Sequence, residues 1–345
     1  MKKVDFREYL SREEIKELRT ANDARALRMF AINWLVIALC FAVLGSTLAW
    51  PFKIGALFVM AGRQLGLGIL MHECSHHSFF TKTRWNRFIG HWFAGMPVLV
   101  PLDFYRPYHL KHHAKTGSDE DPDFANIEQY PVSRKSFVRK VFRDFFGLSG
   151  IKMLYGMLFF VLPGRQGSTV SLGVNEEDGA YNQSWQRNFA HVALFHGLAI
   201  ALFTVLGQPL LYVYWWVAYV FFYPFIVRVR QIAEHGAMPA FASEDVRDTT
   251  RTTIARWWER ALFAPNYVNY HCEHHFLPTV PSYNLPKMHR LLREKGFYEG
   301  QPEACVDTGG YWAIIRLASA TACMYWESIS CRIFHLNSTD EGRRR

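Results

Sequence analysis

The chain has 345 residues, of which 50% are hydrophobic, 16% aromatic and 20% charged, with 39 basic against 30 acidic side chains and a formal net charge of +9. A charged fraction below the roughly 25% of ordinary soluble domains, combined with long apolar stretches, excludes disordered, collagen-like and disulfide-scaffold classes and points to membrane spans. The mean hydropathy of -0.06 is then an average over very apolar and very polar segments.

The first 28 residues are charged throughout and lack the apolar core of a cleavable signal peptide. Ser11 with Glu14 three residues on is a capping box, so EEIKELRTANDARALR is expected to be a cytoplasmic surface helix. An uncharged run follows from Met29 to Phe52, long enough for the roughly 20 residues a bilayer requires. Pro51 and Lys53 interrupt it before IGALFVMAGRQLGLGILM. Two spans, at about 29–50 and 54–71, are predicted to form a hairpin. Arg63 lies inside the second and is expected to face the protein interior. A second hairpin is predicted from spans at about 189–206 and 210–227, joined by Gly207-Gln208-Pro209. The N-terminal tail carries eight Lys and Arg residues and the two turns only Lys53. The positive-inside rule therefore puts both termini and the long middle segment in the cytoplasm.

In that middle segment, Arg134 to Phe146 places Phe137, Val138, Val141, Phe142, Phe145 and Phe146 on one helical face and five basic residues on the other. This is the pattern of a helix lying in the membrane interface. The apolar runs around 89–101 and 153–162 are too short to span, and 164–180 reads as a loop. The six cysteines, Cys40, Cys74, Cys272, Cys305, Cys323 and Cys331, form no CxxC pair, which fits a reducing compartment rather than a disulfide framework.

Nine of the 15 histidines fall in three clusters, HECSHH, HLKHH and HCEHH. Residues three or four apart share a helical face, so His72 with His76 or His77, His109 with His112 and His113, and His271 with His274 and His275 are each expected to project together. His235 follows the fourth span as His72 follows the second, with Gln231 one turn before it. Neutral imidazole is the commonest metal ligand, and ten such nitrogens match two metal ions. HECSH also satisfies the HExxH pattern of zinc proteases, with Glu73 as base. One zinc takes three protein ligands, which leaves most of the histidines without a role. His91, His191, His196, His289 and His335 stand alone and are read as structural, those inside a span requiring a hydrogen-bond partner. TGSDEDPDF, with Asp119, Asp121 and Asp123, reads as a solvated acidic turn. Phe79, Phe80, Trp85, Trp92, Phe93 and the 212–222 aromatic run are candidate walls of an apolar tunnel, though span packing or an interfacial belt is the better account of any one of them.

The three boxes and two hairpins resemble the membrane-bound fatty acid desaturase family over about residues 28–296, and FLPTVPSYNLPKMHRLLREKG after the third box resembles bacterial acyl desaturases. The resemblance implies an all-α integral membrane fold of four transmembrane helices in two hairpins, with a cytoplasmic helical cap holding a di-iron centre. The divisions expected are a cytoplasmic N-terminal helix at 1–28, a desaturase domain at 29–300 and a cytoplasmic tail at 301–345. Carried over residue by residue, the ligands are His72, His76, His77, His109, His112, His113, His235, His271, His274 and His275, with Gln231 where the family can have an Asn donating through water. The implied reaction is O2-dependent insertion of a double bond into an acyl chain presented on a lipid, CoA or a carrier protein. A hydroxylase or ketolase outcome on a lipid, carotenoid or alkane shares the same ligands. Electrons are expected from a separate ferredoxin or small cytochrome, and the basic residues Lys82, Arg84 and Arg87 are a docking surface either for that donor or for lipid head groups. No nucleic-acid motif accompanies the positive charge.

Overall fold

The computed structural model of the chain describes residues 4–163, 185–238, 243–300, 305–307 and 309–320. The loop expected at 164–180, Cys323, Cys331, His335 and the tail beyond residue 320 lie outside the described residues. Among those residues the protein is helical, apart from a parallel pair of two-residue strands, β1 (Thr252–Thr253) and β2 (Val306–Asp307). That pair is a small departure from the all-helical expectation.

The capping box forms as predicted, with Glu14 N–H donating to Ser11 Oγ at 3.2 Å and Ser11 N–H to Glu14 Oε2 at 2.7 Å. It starts only a short helix, α1 (Arg12–Leu18). The chain then breaks, because the Asn22 side chain accepts the Arg25 N–H at 3.0 Å and begins a separate helix, α2 (Asp23–Gly45). Pro51, in the first turn where its missing N–H costs no hydrogen bond, opens α3 (Trp50–Ser75). The two form the first hairpin. Buried Asn33 of α2 donates through Nδ2 to the Arg63 carbonyl at 3.1 Å, and a Cβ at Gly66 would sit 2.2 Å from Asn33 Oδ1, so close helix approach requires glycine there. Arg63 turns inward as expected and donates to the Ala261 carbonyl.

The polar end of α3 leads to α4 (Thr83–Gly90), α5 (Leu102–Lys115), α6 (Phe124–Ile127), α7 (Arg134–Phe145) and α8 (Leu148–Gly156). Helix α7 carries the exposed apolar residues Val138 and Phe142, in keeping with an interfacial face. A turn at Gly147 (φ 77°) joins it to the α8 segment, which extends to Val161, at a bend of 68°. After α9 (Trp185–Val205), a 3-10 turn at Pro209–Tyr212 leads to α10 (Val213–Phe221) and α11 (Tyr223–His235).

Among the described residues three helices, α2, α3 and α9, are long and apolar enough to cross a membrane, and up to five spans result if each bent pair, α7 with α8 and α10 with α11, counts as one. At the expected fourth span the helix is broken: α10 and α11 are bent by 40° where Pro224 cannot supply an N–H to the preceding turn. Helix α11 continues unbroken to His235. Buried Arg251 donates to the carbonyls of Ile232, Gly236 and Ala237 at 3.0–3.2 Å, satisfying the orphan groups at the C-terminal end of α11.

The remaining helices, α12 (Val246–Thr249), α13 (Trp257–Leu262), α14 (His271–Phe276), α15 (Leu285–Glu294) and α16 (Gly310–Ala318), pack around this end. Leu10 and Leu18 share a core with Phe276, Met288, Leu292 and Phe297. Asn284 Nδ2 donates to the Leu18 carbonyl at 2.8 Å. The N-terminal segment thus clasps the helices that follow the third histidine box.

Candidate metal centre

Helices α3, α5, α11 and α14 bring nine imidazoles together in two groups. His72, His76, His109, His113 and His274 form the first, and His112, His235, His271 and His275 the second; within each, one nitrogen per residue lies within 4.8 Å of all the others. The two groups adjoin, since the rings of His113 and His275 are 4.2 Å apart between centroids.

The HxxHH boxes do not project as units. On α5, His109 and His113 are one turn apart and enter the first group, while His112, rotated about 100° from His113, enters the second. On α14 the assignment is reversed, with His271 and His275 in the second group and His274 in the first. Each adjacent His-His pair therefore straddles both groups. His77 lies outside them. It follows the end of α3 in a left-handed conformation (φ 59°) and is separated from His76 by that change of backbone direction.

The donor set fits metal ions. His109 Nε2 lies 2.9 Å from both His76 Nε2 and His113 Nε2, and His113 Nε2 lies 3.0 Å from His274 Nε2. His235 Nε2 and His271 Nε2 are 2.8 Å apart. A single proton bridges a single pair, so several of these contacts set lone pair against lone pair unless a cation lies among them. Imidazole nitrogens bound at about 2.1 Å and at right angles are about 3.0 Å apart. Buried His72 Nε2 and His275 Nε2 have no hydrogen-bond partner. Burial first, and then the neighbouring imidazoles, hold His109, His113, His274 and His275 well below the ordinary histidine pKa, so they are neutral and ready to donate lone pairs.

Three of the nine rings, those of His72, His112 and His235, are tethered through the opposite nitrogen in the way common to metal-binding histidines. Glu73 Oε1 contacts His72 Nδ1 at 3.1 Å, Asp121 Oδ1 contacts His112 Nδ1 at 2.7 Å, and the Thr249 carbonyl accepts from His235 Nδ1 at 3.0 Å. Glu234 Oε2 lies 3.6 Å from His271 Nε2, on the side of the ring that faces His235, and is not a tether of this kind. Asp121 corrects the reading of its segment as a solvated turn: its side chain is buried, and only Asp119 and Glu120 remain exposed. The available signal was an acidic residue shortly after a histidine box. Glu73 is also not placed as a protease base, since its second oxygen accepts the Ser282 N–H at 2.8 Å and three further imidazoles, of His109, His113 and His274, join the HExxH pair. Gln231 lines a cavity of about 20 Å³ together with His112, Glu234, His235 and His271, room for about one water molecule.

The solitary histidines inside the apolar helices have the partners expected of them. His191 Nδ1 meets His91 Nε2 at 2.9 Å, and His196 Nδ1 meets Tyr212 Oη at 2.6 Å. His289 is not isolated, because its Nδ1 contacts Glu273 within the third box. Phe79 and Phe80 are core residues packed against Phe30, whereas Trp92, Phe93 and Tyr212 line a separate large groove.

The profile of the family described as fatty acid desaturase matches residues 48–304. Among curated proteins, the chain is 25% identical over 297 residues to the dihydrorhizobitoxine desaturase of Bradyrhizobium elkanii, covering 83% of this chain and 80% of that one. It is 23% identical over 340 residues to an sn-1 acyl-lipid omega-3 desaturase (ferredoxin) of a Synechocystis species, covering 92% and 91%. It is also 23% identical over 300 residues to an sn-1 oleoyl-lipid 12-desaturase of a Picosynechococcus species, covering 79% and 78%.

Proposed function

The chain belongs to the fatty acid desaturase family, and from that premise we propose that this oxidoreductase is an O2-dependent desaturase of acyl chains on membrane lipids, working through two iron ions. The observation that carries the reading is the convergence of nine imidazoles into two adjoining groups. An all-nitrogen set of neutral ligands suits first-row metals such as iron. The names of the relatives cover dihydrorhizobitoxine as well as acyl lipids. The choice of an acyl lipid rests on the apolar helices that carry the site and on the two lipid-named relatives.

His72, His76, His109, His113 and His274 hold one ion, and His112, His235, His271 and His275 the other. Gln231 supplies a further contact to the second through water in the adjoining cavity. Bound iron would supply the reduction of O2 to two waters, using two hydrogen atoms from neighbouring carbons of the chain, two electrons from an external donor and two protons from solvent. The protein residues fix the imidazoles in orientation: Glu73 and Asp121 anchor His72 and His112, and Arg251 secures the end of α11 that presents His235. The donor is a ferredoxin or a small cytochrome, in line with the relative named for ferredoxin. The basic residues of the N-terminal tail support a site on the cytoplasmic side.

The test is metal analysis of the purified protein together with acyl-chain profiling of cells that express it in air. About two irons per chain and a new double bond are expected. One zinc with an unchanged acyl profile refutes the proposal, and oxygen incorporated into the product assigns a hydroxylase or ketolase instead.

A further inference from the structure

We infer that the protein holds one anionic phospholipid of the surrounding bilayer in a two-part seat separate from the histidine groups. The upper part is a cleft of about 360 Å³ between α4 and the start of α9, lined by Arg84, Arg87, Arg187, Asp103, His91 and His191. Three guanidiniums face one carboxylate, so the cleft carries net positive charge. Asp103 Oδ2 lies 3.3 Å from Arg87 Nη2 and 3.6 Å from Arg187 Nη2, which holds guanidiniums from two different helices around one space. Guanidinium forks match phosphate oxygens, and basic residues at the membrane surface attract anionic head groups.

The lower part is an apolar groove of about 1290 Å³ between α2 and α9, and it shares Phe88 and Trp92 with the cleft. It extends along α9 from Leu194 to Leu206, about 18 Å at 1.5 Å per residue. One leaflet of hydrocarbon is about 15 Å deep. No charged residue lines it. A phosphate-sized basic cleft opening into a leaflet-deep apolar groove matches a two-part amphiphile.

The groove ends at Gly45 and Gln208, beside the turns of the two hairpins, whereas His72 lies at the opposite end of α3. The bound chain therefore points away from the metal-binding groups, and the seat is independent of the reaction assigned to them.

The full-length protein, reconstituted in nanodiscs of phosphatidylcholine with phosphatidylglycerol and released for native mass spectrometry, is expected to retain one phosphatidylglycerol. Arg84→Gln with Arg187→Gln removes the phosphate contacts, and Leu198→Trp fills the groove from a lipid-exposed position. Each is expected to lower retention about tenfold with helicity and metal content unchanged. In unmodified protein, phosphatidylglycerol with brominated chains is expected to quench tryptophan emission more than the brominated phosphatidylcholine does, with the excess reduced in Trp92→Phe and the remainder coming from Trp34 and Trp215, which line the same groove. Equal retention and equal quenching by the two lipids overturn the inference. So does a double-arginine variant that keeps its phosphatidylglycerol but loses binding to an acidic ferredoxin, which assigns the cleft to a protein donor.

Discussion

His112 Nδ1 and Asp121 Oδ1 lie 2.7 Å apart with both side chains buried, so the carboxylate fixes the ring and leaves Nε2 to face the second histidine group. Asp123 Oδ2 is 3.8 Å from the same nitrogen and adds charge without taking over the contact. Asp121→Asn retains the shape and removes the negative charge. Carboxylates behind ligating histidines are worth about 10- to 100-fold in metal affinity, and a loss of that size from the second group alone is expected. Metal titration of the apoprotein measures it, with Asp119→Asn, at an exposed position of the same segment, as the control. Equal affinities in the two variants would sink the assignment.

His76 and His77 are neighbours in sequence but not in role, since only His76 joins the first group. His77→Ala is expected to leave metal content near that of the unmodified protein, while His76→Ala loses metal from the first group. Elemental analysis of the two purified variants distinguishes them; equal losses would place His77 among the ligands.

The metal-free site has a defined order of protonation. Burial opposes charge on His112, but the Asp121 hydrogen bond and the charges of Asp123 and Asp121 outweigh it and raise its pKa above the ordinary 6.5. His109, His113, His271, His274 and His275 are held well below that value, by burial first and by other imidazoles next. A raised folded-state pKa stabilises the apoprotein below the unfolded value, and that stabilisation is lost as pH rises through the folded value. As pH falls towards about 6.5, His112 is therefore the first of these imidazoles to take a proton and compete with metal. Calorimetric titration in buffers of different ionisation enthalpy is expected to show about one proton released per chain near that pH and none well above it. Proton release that does not vary with pH contradicts this order.

Arg251 is almost fully buried and bonded to carbonyls at the end of α11. Arg251→Ala removes three donated hydrogen bonds from the end of α11, at about 3 kcal/mol. A lower unfolding temperature accompanied by loss of metal from the second group is expected, because His235 sits on the freed turn. Arg251→Lys is expected to recover part of both. Thermal unfolding with metal retained in full would show that the guanidinium supports the fold without positioning His235.

The helical class, the apolar α2–α3 hairpin and the identity of nearly all the clustered histidines were legible in the sequence, because uncharged runs of span length and repeated HxxHH spacing have few other physical explanations. Two boundaries were not. Helix α2 begins before the uncharged run, at the Asn22 cap, since a local side-chain hydrogen bond ends α1 and no hydropathy average registers it. The fourth apolar run reads as one span but bends at Phe222, where Pro224 and the packing of α10 against α8 interrupt the helix. At Gly150 of α8 a Cβ would lie 2.1 Å from the Val220 carbonyl, a proximity that only the folded chain creates.

Composition and spacing by themselves determined a membrane protein rich in imidazole, with metal ligation as the sensible use of it. Which histidines share a group was a tertiary decision. A helix turns about 100° per residue, so His112 and His113, or His274 and His275, diverge from one backbone, and only the placement of α3, α5, α11 and α14 assigns each ring to its side. The same placement buried Asp121 behind His112 and left His77 outside. It also joined Arg84 and Arg87 to Arg187, about a hundred residues away in the chain, because charges that read as a surface patch along the sequence acquire a concave geometry only when distant helices meet.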